Sequence, residues 1–161
     1  MMRAQELVQL CKNKQCTIAS CESLTAGLFT STIASVPGAS SVLKGGFVTY
    51  FTEMKEKLVH VPESIVLEYG VVSAPCARAM AENARRLTGA DYCVSFTGNA
   101  GPDTMEDKPA GCVYCAIASA KETVAFHFQW DGMERNQIRE AVVNKMIDCC
   151  IDIIQKEENH G

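Results

Sequence analysis

The chain has 161 residues, 47% of them hydrophobic and 21% charged, with a formal net charge of −4 and a pI near 5.4. That length fits one domain, residues 1–161, with a core of its own, and no apolar run approaches the ~20 residues that a membrane span requires. The acidic balance and the lack of a Lys or Arg cluster argue against nucleic acid as a partner.

The first residues, MMRAQELVQLCKNK, place Ala4, Leu7, Val8 and Cys11 on one helical face. They carry neither the apolar core nor the cleavage site of a signal peptide, so a cytoplasmic protein is expected. Nine cysteines form an odd set in a chain without an export signal, which predicts free thiols. Cys112 and Cys115 make a C-x-x-C spacing, but they fall in an apparent strand whose alternation sends them to opposite faces. No second Cys or His pair follows, and the histidines His60, His127 and His160 are scattered, so no metal or cofactor is expected.

Cys16 to Cys21 is a short, partly β-branched run suited to a buried strand. It opens into Glu22-Ser23-Leu24-Thr25-Ala26-Gly27 before an apolar helix pattern from Leu28 to Ala34. A strand-to-helix loop of this kind aims backbone N–H groups and a helix dipole at whatever sits above the strand end, where anions are favoured. Plain N-capping by Ser23 or Thr25 is the alternative reading.

The stretch Val36 to Lys55 then reads as a Pro-Gly turn, the pair Ser40-Ser41, a Gly45-Gly46 break, a strand from Phe47 to Tyr50, and a helix start carrying Lys55. Because a strand of about five residues spans only ~17 Å, the segment is expected to fold a hydroxyl, a phenol and an amine towards one point. Ser40, Tyr50 and Lys55 then stand as nucleophile, orienting group and amine base.

Pro62 begins a short helix pattern ending at Gly70. Ser73-Ala74-Pro75 supplies an N-cap and a first-turn proline for a helix that stops at Gly89. Tyr92 to Phe96 is a strand leading into the loop Thr97-Gly98-Asn99-Ala100-Gly101-Pro102-Asp103. Cys112 to Ala120 and Thr123 to Trp130 form a hairpin around Lys121-Glu122. The last helix, Glu134 to Lys156, has two adjoining apolar stripes, Ile138, Val142, Cys149 and Ile153 beside Val143, Ile147, Cys150 and Ile154. Such a face is wedged within the subunit or meets another one, and a homo-oligomer is the expectation. The order α-β-α-β-α-α-β-β-β-α predicts an α/β fold, a three-layer α/β/α sandwich with a mixed central sheet.

Several blocks resemble the CinA C-terminal domain family: Glu22-Ser23-x-Thr25-x-Gly27, Pro37-Gly38-x-Ser40, and Gly46-Phe47-Val48-Thr49-Tyr50 with Lys55. The likeness continues through Gly70-Val71-Val72-Ser73, Thr97-Gly98-x-Ala100-Gly101-Pro102, Lys108-Pro109-x-Gly111 and Arg135-x-x-x-Arg139. The resemblance implies an α/β/α sandwich and amidohydrolysis of nicotinamide mononucleotide, giving nicotinate mononucleotide and ammonia, as in pyridine nucleotide recycling. It implies Ser40 as nucleophile, Lys55 as base and Tyr50 beside them. Substrate contacts are implied from Glu22, Ser23, Thr25, Thr97, Gly98, Gly101 and Arg135, with no metal. A small nucleotide is the implied partner. A member that has lost catalysis and serves as a nucleotide-binding, competence- or DNA-damage-associated protein is one alternative, and an amidase for another amide is a second. The sequence departs from the family motif on the ligand loops: Thr104-Met105 stand where two glycines are usual, Ala26 replaces a glycine and Asn99 an apolar residue. Larger members carry a further N-terminal domain resembling molybdopterin-binding proteins, which has no counterpart in this sequence.

Overall fold

The computed structural model describes residues 2–157; His160 lies outside them. Five strands form one sheet in the order β2-β1-β3-β4-β5. They are β1 (Ile18–Glu22), β2 (Leu43–Val48), β3 (Tyr92–Gly98), β4 (Cys112–Ala118) and β5 (Thr123–Gln129). β2, β1 and β3 run parallel, and β4 and β5 continue antiparallel, so the sheet is mixed as expected. β1 is buried at all five positions, as a strand covered on both faces must be, whereas the edge strand β2 alternates between half-buried and exposed.

The helices are α1 (Met2–Lys14), α2 (Leu28–Ala34), α3 (Thr52–Val59), α4 (Glu63–Tyr69), α5 (Ala74–Thr88) and α6 (Arg135–Lys156). Three helices separate β2 from β3; the helix start read at Lys55 is a full element, which the predicted order, with two helices there, left out. Side chains of α1, α2 and α6 build the core on one face of the sheet with Ile18, Val94, Phe96, Val113, Cys115 and Ile117. α5 covers the other face, with Cys76, Met80 and Ala84 packed against Ala19, Cys21 and Cys93. Ala77 and Ala81 meet Ala116 and Ala118, small residues that let helix and sheet approach closely.

Local signals behave as their chemistry requires. The Ser73 side chain accepts from Cys76 N–H at the start of α5, with a proline in its first turn, and Gly89 closes it in the left-handed region at φ 72°. Gly45-Gly46 is not a break: both glycines lie inside β2, paired with Ala19 and Ser20. A Cβ on Gly46 would stand 2.9 Å from Thr30 Oγ1 and closer still to Ser20 Oγ, so the glycine admits two hydroxyls to the sheet. Both stripes of α6 are consumed within the chain. Ile138, Val142, Val143, Met146, Ile147, Cys150, Ile151 and Ile154 are buried in one core, with Cys149 and Ile153 packed on it. The wide apolar face therefore no longer speaks for a second subunit.

Cys112 joins the core on one side of the sheet and Cys115 the core on the other, the opposite-face placement that alternation dictates. All nine cysteines are free thiols, eight of them buried. No helix among the described residues is long and apolar enough to cross a membrane.

Candidate active site

Three parallel strands end level with one another, since Glu22 pairs with Val48 on one side and Phe96 on the other. The loops after β1, β2 and β3 therefore rise from the same end of the sheet, the place where open α/β sheets hold ligands.

After β1 the chain turns sharply through Ala26 and Gly27, at φ 46° and 97°, and enters α2. Glu22 organises this turn. Its carboxylate is fully buried and accepts from Phe29 N–H at 2.9 Å, Thr30 N–H at 3.0 Å, Thr30 Oγ1 at 2.6 Å and Ser20 Oγ at 3.3 Å. The first N–H groups of α2, predicted to be free for an anion or capped by Ser23 or Thr25, are instead capped by Glu22, where a carboxylate also suits the helix dipole. Ser23 is left at the strand end with its hydroxyl unused by the helix. Among the described residues the backbone N–H groups of Leu24 and Thr25 have no partner, and neither does the buried Thr25 hydroxyl.

After β2 the chain passes through Thr49 and Tyr50 into α3, whose first turn carries Lys55 back beneath the loop. Lys55 is 1% exposed. Its Nζ lies 2.9 Å from Ser23 Oγ, 2.8 Å from Thr49 O and 3.4 Å from Tyr50 O. Burial pulls its pKa below the ordinary lysine value, against the nearby Cys76, Cys21 and Glu106, which favour the charged form. Burial in turn pushes the thiols up, Cys21 to about 12 and Cys76 to about 11. At neutral pH those thiols are therefore uncharged and give the amine little reason to stay protonated.

A cavity of about 460 Å³ opens above this pair, lined by Ser23, Lys55 and Thr97 with apolar walls from Phe51, Val71, Val72 and Met105. A smaller cavity of about 110 Å³ adjoins it on the side of Asp103 and Arg135. Arg135 donates to Gly101 O at 2.7 Å and to the Tyr50 hydroxyl. Arg139, one turn on, holds Leu24 O and Thr25 O at 3.0 Å each. The Thr97 hydroxyl donates to Val71 O at 2.8 Å. Glu106 accepts from Val71 N–H at 2.7 Å and Val72 N–H at 2.9 Å, and Lys108 donates to Val72 O. Among the described residues no group of three or more His, Cys, Asp or Glu is placed to hold a metal.

The structure thus brings together Ser23, Tyr50, Lys55, Thr97, Gly98 and Arg135. It does not bring Ser40 to them. Ser40 is exposed, in one turn of 3-10 helix (Ala39–Ser41) that precedes β2, whereas Lys55 follows β2. A six-residue strand holds its two ends roughly 20 Å apart. The serine paired with Lys55 is Ser23. Glu22 serves the turn rather than the cavity, Thr25 lines neither cavity, and Gly101 contributes its carbonyl to Arg135. Sequence reasoning missed the apolar walls Phe51, Val71 and Val72, while it placed Met105 on the ligand loops, where it lines the cavity. It also set Ser23 among substrate contacts, although its place directly after a parallel strand was the available signal.

A family model described as CinA C-terminal domain matches residues 2–154. Curated relatives, each titled putative competence-damage inducible protein, include one from Listeria welshimeri, 46% identical over 82% of this chain, and one from Streptococcus pyogenes, 49% identical over 82%. The chain spans about a third of their length, 32% and 31% respectively. Among solved structures, a CinA superfamily protein from Klebsiella pneumoniae superposes with a TM-score of 0.93 at 20% identity, covering 97% of this chain and 98% of its own. The competence/damage inducible protein CihA from Agrobacterium tumefaciens superposes at 0.88 with 26% identity, covering 96% of each chain. With the family model spanning nearly every described residue over this fold, the chain belongs to the CinA C-terminal domain family.

Proposed function

We propose that the protein is an amidohydrolase in which Ser23 is the nucleophile and Lys55 its base, acting on nicotinamide mononucleotide. The observation that carries this reading is the 2.9 Å approach of Ser23 Oγ to a buried amine at the floor of a cavity. A neutral lysine has two N–H bonds and one lone pair. Thr49 O and Tyr50 O occupy the two donors, which leaves the lone pair for the Ser23 hydroxyl proton.

In the first half-reaction Ser23 Oγ bonds to the carboxamide carbon while its proton passes to Lys55 Nζ. The unpaired Leu24 N–H, on the residue next to the nucleophile, is the donor best placed by sequence for the resulting oxyanion. Lys55 then returns the proton to the departing nitrogen, ammonia leaves, and an ester on Ser23 remains. Water, deprotonated by the same amine, cleaves that ester to the carboxylate product and restores Ser23.

The family resemblance supplies the substrate, and the apolar cavity beside a smaller one that carries Arg135 and Asp103 suits a pyridine ring joined to a polar group. Ammonia release from nicotinamide mononucleotide by the purified protein tests the reading. Release that Ser23→Ala abolishes is expected. Binding of the nucleotide without ammonia release by the wild type would favour a non-catalytic nucleotide-binding role instead.

A further inference from the structure

The two cavities meet at Ser23, and the residues that line both are Ser23, Tyr50, Gly98 and Met105. A carboxamide placed on Ser23 has its parent group bonded directly to the reacting carbon, so that group enters one cavity or the other within a bond length or two of the nucleophile. Whichever it enters, Met105 stands at its border. Met105 is 48% exposed, and its unbranched side chain has three rotatable bonds, while its backbone is fixed from both sides. Met105 N–H donates to Asn99 Oδ1 at 3.1 Å, and Asn99 Nδ2 donates back to Met105 O and to Lys108 O, each at 3.1 Å. The next residue, Glu106, is tied to Val71 and Val72, which line the same cavity. The loop is thus pinned at Asn99 and at Glu106, and the thioether is the adjustable part between the pins.

Resting on the amidohydrolase reading, we propose that Met105 selects a carboxamide borne on an aromatic ring, with Asn99 and Glu106 as positioning residues that hold its backbone over the cavity. A polarisable, unbranched thioether contacts ring edges favourably and adapts to their thickness, which a saturated ring rewards less. Asn99 acts through a backbone clasp that an apolar residue at its position does not make.

The test measures binding on the Ser23→Ala background, where no turnover intervenes. The ligands are nicotinamide mononucleotide, benzamide and cyclohexanecarboxamide, titrated calorimetrically. Met105→Ala is expected to weaken the nucleotide and benzamide roughly three- to tenfold and to remove the preference for benzamide over cyclohexanecarboxamide. Met105→Leu, which keeps the bulk, retains nucleotide binding within about twofold but loses part of the ring preference. Asn99→Leu and Glu106→Ala reproduce the Met105→Ala pattern, while Glu106→Gln, which keeps one acceptor oxygen, rescues it. An unchanged ring preference in Met105→Ala overturns the inference and leaves the amidohydrolase reading standing. Failure of the wild type to release ammonia sinks that reading separately, and failure of the parent variant to bind any aromatic amide sinks both.

Discussion

Lys55 Nζ and Ser23 Oγ lie 2.9 Å apart and buried, although 32 residues of chain separate them. They meet because β1 and β2 are parallel neighbours whose C-terminal ends are level. Ser40 is closer to Lys55 in sequence and farther in space. Ser23→Ala is accordingly expected to lower kcat by several orders of magnitude, the usual cost of a lost nucleophile, with the fold intact by circular dichroism. Ser40→Ala should leave kcat/KM within about twofold, as a solvent-facing substitution does. Ammonia-release assays on the two variants decide which serine is used, and inactivity of Ser40→Ala with activity in Ser23→Ala would reverse the assignment.

The pH dependence follows from the direction of the Lys55 shift. Burial disfavours the ammonium, so the amine loses its proton below the ordinary lysine range, and the proposed mechanism requires the neutral form. Activity should rise with pH through a single ionisation below that range and then level off. Lys55→Arg keeps the charge and cannot surrender a proton, so it should be nearly inactive at every pH tested. A falling limb in place of the rising one, or an active Lys55→Arg, would make Lys55 a cationic anchor.

The Glu22 carboxylate is a structural hub, and its loss should register in stability first. Glu22→Ala leaves buried N–H and hydroxyl donors of Phe29, Thr30 and Ser20 without an acceptor, for an expected cost of about 3–5 kcal/mol. Glu22→Gln keeps one acceptor oxygen and should cost about 1–3 kcal/mol. Urea titration at fixed pH measures both, and a change below 0.5 kcal/mol, the scale of an inert surface substitution, would contradict the hub.

Thiol reactivity gives an independent reading of the core. Cys149 is half-buried while the other eight thiols are buried, and burial raises the pKa of Cys93, Cys112, Cys115, Cys149 and Cys150. The native protein should react with a thiol reagent in one early phase that Cys149→Ser removes, with the remaining thiols appearing on unfolding. Several fast thiols would show that the sheet is less well covered than described.

Much of the architecture was legible in the sequence because it depends on local chemistry. Ser73, Pro75 and Gly89 bound α5 as caps, and the alternation from Cys112 to Gln129 marks a hairpin. The site was only partly legible. Seeing hydroxyl, phenol and amine within twenty residues, one expects them together, yet the intervening strand holds Ser40 and Lys55 at its two ends. Chain distance and strand direction compete, and direction wins. The placement of Glu22 was hidden for another reason: a carboxylate beside a serine and a threonine reads as a ligand contact until the helix that turns back onto it is in view.

Arg135 and Arg139 come from consecutive turns at the start of α6, a helix whose body lies in the core on one face of the sheet, yet their guanidinium groups hold Gly101, Tyr50, Leu24 and Thr25. Every loop they touch belongs to the site, so fraying of these two helical turns loosens the mouth from three directions while the rest of the core stays packed. Heat or mild denaturant should therefore silence the protein before unfolding it. The interval between those two midpoints measures how firmly those two turns are seated.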